Sequence, residues 1–91
     1  MSQPTFRDMV ELPGPFTFKI IVNPEGINQS GLTHALSEAA GRTLDFQSIT
    51  HRPSKNGKYL AYTVAVHIEV FEEIEAVYAW FSASEHVIYA V

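Results

Sequence analysis

Six apolar patterns follow one another along this chain: a period-two run, a run with helical spacing, two more period-two runs, a second helical run and a short final alternation. Period two places alternate side chains on one face of a strand, and spacings of three and four place side chains on one face of a helix. The order therefore reads strand, helix, strand, strand, helix, strand. The 91 residues are enough to close one hydrophobic core and have no surplus for a second. The Pro-rich and polar residues 1–14 read as a flexible arm, and residues 15–91 as a single domain.

The first strand is the alternation of Phe16, Phe18, Ile20 and Val22 with Thr17, Lys19, Ile21 and Asn23, broken by Asn23-Pro24-Glu25-Gly26. Asn28 is placed to cap a helix that runs to about Ala40, with Ile27 and Leu32 as its hydrophobic staple. Leu32, Ala35, Leu36 and Ala39 form its buried stripe, and Gly41 its left-handed terminus. Strands over Thr43 to Arg52 and Lys58 to Ile68 form a hairpin. Setting Arg52 opposite Lys58 brings Phe46 opposite Val64, which predicts an odd loop with Gly57 left-handed in a bulged turn. The second helix, Val70 to Ser82, buries Val70, Phe71, Ile74, Val77, Tyr78 and Phe81. Glu72, Glu73 and Glu75 lie largely off that stripe, toward the positive end of the helix dipole. Glu85 to Val91 closes the chain as a strand.

Two right-handed strand-helix-strand crossovers in tandem assemble most economically as a four-stranded antiparallel sheet in the order four, one, three, two, with both helices on one face. This is the ferredoxin-like βαββαβ sandwich, of class α+β. The uncovered face then presents Thr17, Lys19, Ile21, Gln47, Ile49, His51, Tyr59, Ala61 and Thr63. It is either a wetted sheet or a contact surface for a second copy or another protein.

Composition narrows the function. A net charge of −4 with only six Lys and Arg opposes binding to a phosphate backbone. The longest apolar runs, such as Ile20-Ile21-Val22, are too short to span a bilayer, and the opening residues lack a basic region followed by an apolar stretch. The chain is expected in the cytoplasm, away from membranes and nucleic acid. With no cysteine it forms no disulfide and offers no thiolate to a metal.

No catalytic pattern stands out, and the chain reads as nonenzymatic and without a cofactor. An acylphosphatase needs an arginine in the loop after the first strand, and Asn23 to Asn28 contains none; a copper carrier needs paired thiolates there. Gly57-Lys58-Tyr59-Leu60-Ala61-Tyr62 echoes an RNA-recognition strand, but Ala61 stands where a second outward ring is wanted. His34, His51, His67 and His86 fall on four different elements, without the paired spacing of a helical zinc site. No Gly-x-Ser-x-Gly elbow is present. Lys19, a lone cation on a strand, suits an ion pair or an exposed ammonium better than a catalytic amine.

Three stretches taken together carry a family likeness: Pro15-Phe16-Thr17-Phe18-Lys19-Ile20, Ser54-Lys55-Asn56-Gly57-Lys58-Tyr59, and Glu72-Glu73-Ile74-Glu75-Ala76-Val77-Tyr78 before a Val-rich final strand. From about Glu11 to Val91 the chain resembles the YbeD-like family of small bacterial proteins of unknown function. The resemblance implies an α/β sandwich similar to ACT regulatory domains, which bind small effectors, often amino acids, at interfaces between paired domains. Some members lie beside lipoate-synthesis genes, which has suggested a regulatory role there. Where the family commonly has a glycine after the first strand, this chain has Val22-Asn23-Pro24, with Gly26 displaced.

Two expectations for function follow. The first is an effector site at Asn23, Glu25, Gly26 and Asn28, where amides at a helix start favour an anionic group; the plain alternative is a capped turn. The second is an interaction module, pairing as a homodimer or with another protein through Lys19, Ile21, Ile49, His51, Tyr59 and Ala61 or an edge strand. Trp80, off the buried stripe of the second helix, is either part of that interface or a rim contact of the core.

Overall fold

The computed structural model describes residues 10–90. Its elements run β1 (Gly14–Val22), α1 (Gln29–Ala40), β2 (Asp45–Pro53), β3 (Leu60–Ile68), α2 (Phe71–Ala83) and β4 (Val87–Ala90). The four strands form one antiparallel sheet in the order β2-β3-β1-β4, the expected ferredoxin-like arrangement. Phe18, Ile20 and Val22 of β1 and Tyr62, Val64, Val66 and Ile68 of β3 are buried in one cluster with Leu32, Leu36, Ile74, Val77 and Phe81 of the helices, so both helices cover the same face. Burial of each such leucine or isoleucine stabilises the fold by about 2 kcal/mol.

Local chemistry explains the first helix. Asn28 is extended, at φ −98° and ψ 177°, and its side chain accepts from the Gly31 N–H at 2.8 Å, which satisfies one donor of the first turn. Gly41 ends the helix at φ 83°, and its N–H donates to Ser37 and Glu38 carbonyls. The chain then packs down where the Leu44 N–H donates to Ser37 Oγ at 3.1 Å.

Residues 10–14, expected within the arm, are placed on the fold. β1 starts at Gly14, opposite Ile68, and Val10 and Leu12 pack against the core. The Leu12–Pro13 peptide is cis. The rest of the expected arm, residues 1–9, lies outside the described residues, as does Val91.

The hairpin departs from the expected register. Ser54 N–H donates to the Tyr59 carbonyl at 2.8 Å and Ser54 Oγ accepts from the Tyr59 N–H at 2.9 Å, so the loop closes on that pair. Lys55, Asn56, Gly57 and Lys58 are left in the loop, an even number, with Gly57 left-handed at φ 68° as expected. Arg52 consequently stands opposite Ala61 and not Lys58. The bulge falls at Gln47 instead, between Phe46 opposite Val66 and Ser48 opposite Ala65. One extra residue inverts the alternation along the rest of the strand. Ile49 and His51, expected on the uncovered face, therefore stand opposite Val64 and Tyr62 on the helix side: Ile49 packs against the core, and the His51 ring lies 5.6 Å from that of Tyr62. The uncovered face is built of Thr17, Ala65 and Ser48 in one row, Lys19, Thr63 and Thr50 in the next, and Tyr89, Ile21, Ala61 and Arg52 in the last.

α2 begins one residue later than expected. Val70, assigned to the buried stripe, is the N-cap and half exposed. Glu73, assigned to the solvated side, is only 7% exposed.

Candidate functional site

The two ends of the sheet use their charges differently. At the end where β3 passes into α2, Arg42 follows the α1 terminus and binds Glu73 through two nitrogens, Nε to Oε2 and Nη2 to Oε1. Arg42 also donates to the His67 and Thr43 carbonyls, each at 3.3 Å, while Glu73 Oε1 accepts from the Glu69 N–H at 2.8 Å. A glutamate in the first turn thus caps its own helix and anchors the α1–β2 loop. The Arg42 hydrogen bonds hold the Glu73 carboxyl below the ordinary carboxylate range, helped by the backbone donors of Glu69 and Val70, against the opposing effect of burial. A cleft of about 580 Å³ lies here, lined by His34, Ser37, Glu38, Gly41, Arg42 and Thr43. Arg42 is already engaged by Glu73, and Glu38 by the His34 ring at 3.2 Å.

At the opposite end the β1–α1 turn meets the β2–β3 hairpin and the start of β4. Asn23 closes the turn: its N–H donates to the His86 carbonyl at 3.1 Å, its carbonyl accepts from Gly26 at 2.9 Å and its side-chain oxygen from the Glu25 N–H at 3.1 Å. The His86 ring lies against Gly26 so closely that a β-carbon there would stand 2.6 Å from Nδ1. A cleft of about 410 Å³ opens between these segments, lined by Asn23, Pro24, Glu25, Gly57, Lys58, Tyr59 and Ile88. The Lys58 ammonium lies 5.7 Å from the Tyr59 ring centroid. Among the described residues Glu25 and Lys58 form no ion pair with each other or with any other side chain.

The structure sorts the expected site residues. Asn23 and Glu25 line the cleft, Gly26 faces His86, and Asn28 serves as the cap of α1. Of the expected interface, Tyr59 lines the same cleft, while Lys19, Ile21 and Ala61 stand on the uncovered face with Lys19 exposed. Trp80 is a rim contact of the core, edge-to-face with Phe81 at 5.7 Å. Sequence reasoning missed Lys58 and Ile88 as partners of the Asn23 turn. The signal for Lys58 was its place beside the left-handed Gly57; for Ile88 no local signal existed. The four histidines occupy four separate places: beside Glu38, over Tyr62, 3.0 Å from Glu69 and against Gly26. No helix among the described residues is long and apolar enough to cross a membrane.

The sheet order, the helices on one face and the crossovers define a ferredoxin-like α+β sandwich. The solution structure of protein HP0495 from H. pylori is similar, with a TM-score of 0.63 over 98% of this chain and 88% of that one at 19% identity, a likeness of fold. The family described as Protein of unknown function (DUF493) matches residues 7–91, and the chain belongs to that family, the YbeD-like family its motifs resemble. No curated protein matches it.

Proposed function

We propose that the protein is a nonenzymatic, ACT-like binding domain that senses a small zwitterionic effector in the cleft between the Asn23 turn and the hairpin. One observation carries this reading: the cleft sets an unpaired carboxylate, Glu25, and an unpaired ammonium, Lys58, beside the Tyr59 ring and Ile88. A free amino acid offers the matching charges, its ammonium to Glu25 and its carboxylate to Lys58, with an apolar side chain against Tyr59 and Ile88. Thermal-shift titration with the common amino acids tests it, because ligand bound to the native state raises the melting temperature by mass action. The shift is expected from an amino acid with an apolar side chain, and absent in Glu25→Ala and Lys58→Ala. No shift from any amino acid at millimolar concentration rejects the reading.

A second reading, a protein-interaction module, is favoured by β4. This edge strand exposes Ile88 at 52% and Tyr89 at 60%. Scattered apolar residues on a surface are ordinary, but adjacent ones on an unpaired strand edge are a template for association.

A further inference from the structure

The two edges of the sheet are not equally protected. β2 carries the Gln47 bulge, a terminal Pro53 and the charged Asp45 and Arg52, each a device that discourages a further strand. β4, Val87–Ala90, is also bulged, at Ile88 between Tyr89 opposite Ile21 and Val87 opposite Val22, but it has no charged residue and no proline. Its outer side borders a groove of about 310 Å³ between the strand and α2, floored by Tyr78 and Phe81 and flanked by Ser82. The groove shares Tyr78 and Ser82 with a further cleft of about 420 Å³ that runs along the same flank of α2 past Glu75. An edge strand beside a groove floored by aromatic rings is the geometry of β-strand addition, in which backbone bonds supply affinity and alternate side chains enter the groove.

We propose that β4 docks an extended segment of a partner protein that alternates apolar and basic residues, an inference that rests on the second reading above. The charge of the surroundings selects this occupant. Among the described residues Glu75 is the only charged one lining the two clefts, and exposed Glu85 stands just before β4. The last turn of α2 has no basic residue to offset its carbonyl pole. A strand added here places an apolar side chain over Tyr78 and Phe81 and a Lys or Arg toward Glu75. A second copy of this chain fits less well: pairing β4 with β4 brings two sets of Glu75 and Glu85 together in chains that each carry a net charge of −4. Ile88 separates this groove from the Glu25–Lys58 cleft, so the two sites are distinct surfaces sharing one residue.

The test titrates the isotope-labelled full chain with a short acetylated peptide alternating valine and arginine, and with the same peptide carrying glutamate for arginine. The expected result is amide shifts and slowed hydrogen exchange confined to Val87–Ala90 and the adjoining flank of α2. Binding of the arginine peptide should be about tenfold tighter than that of the glutamate peptide, and about tenfold weaker in the exposed-site variant Glu75→Lys. Equal binding of the glutamate peptide at the same amides overturns the basic occupant and keeps the interaction reading. No perturbation by either peptide at millimolar concentration overturns both. Protection of β4 that grows with protein concentration alone assigns the edge to a second copy and overturns the proposal.

Discussion

The Arg42 end and the Lys58 end of the sheet are built from the same kinds of residue and spend them differently. Arg42 and Glu73 are brought together across three segments, and the carboxylate is nearly closed off from water. Glu25 and Lys58 line one cleft, remain exposed and make no ion pair among the described residues. A buried carboxylate without its partners costs several kcal/mol, so Glu73 is committed to the fold. An exposed ion pair contributes little, so leaving Glu25 and Lys58 apart costs the fold almost nothing and keeps both groups available.

Substitutions at both ends probe that contrast, beginning with the largest effect. Glu73→Ala should lower unfolding free energy by about 3 kcal/mol, because it strips Arg42 and the Glu69 N–H of their acceptor. Denaturant unfolding measures it, and a loss below about 1 kcal/mol would make the two ends energetically alike. The same carboxylate has a pH signature. Its folded-state pKa lies below that of the unfolded chain, so the stabilisation is complete above the ordinary carboxylate range and disappears as pH falls through the lowered folded value. Glu73→Gln should flatten the acid limb of the stability curve.

At the other end, Gly26→Ala should cost about 2 kcal/mol, since the new β-carbon would meet the His86 ring at 2.6 Å and the ring or the turn must shift. Adding His86→Ala should recover most of the loss; failure to recover would place the strain elsewhere in the turn. Back at the Arg42 end, Gly41→Ala should cost about 1 kcal/mol at φ 83°, with open space around it, through backbone conformation alone. The smallest effect is expected where the site is: Lys58→Ala should change stability by less than about 0.5 kcal/mol while removing the effector-dependent thermal shift. A large loss of stability in that variant would show that the open end, too, is committed to the fold.

Much of the architecture was legible in period alone. Alternation in β1 and β3, the spacing of Leu32 and Leu36, and the Asn28 and Gly41 caps are local signals, and each holds in the structure. β2 was harder because Phe46 and Ile49 are three residues apart, and a plain strand cannot turn both toward the core. The spacing itself was the sign of a bulge, and placing the extra residue at Gln47 lets both side chains face inward. The capping position of Glu73 was likewise visible in the sequence, but its partner was not. Arg42 lies 31 residues away and reaches it only after the α1–β2 loop has folded back onto the start of α2.

The candidate site was half legible. Asn23 and Glu25 were marked by the Asn-Pro-Glu-Gly turn and Tyr59 by its place beside the hairpin, yet they appeared to belong to two different surfaces. The register closed by Ser54 and Tyr59 carries the hairpin alongside the β1–α1 turn, and β4 brings Ile88 into the same cleft. By itself the sequence determined the identity and order of the elements, because periodicity and capping act over a few residues. Only the tertiary structure decided that Arg42 meets Glu73 while Glu25 and Lys58 line one cleft without pairing, because those placements depend on how segments remote in the chain come to rest together.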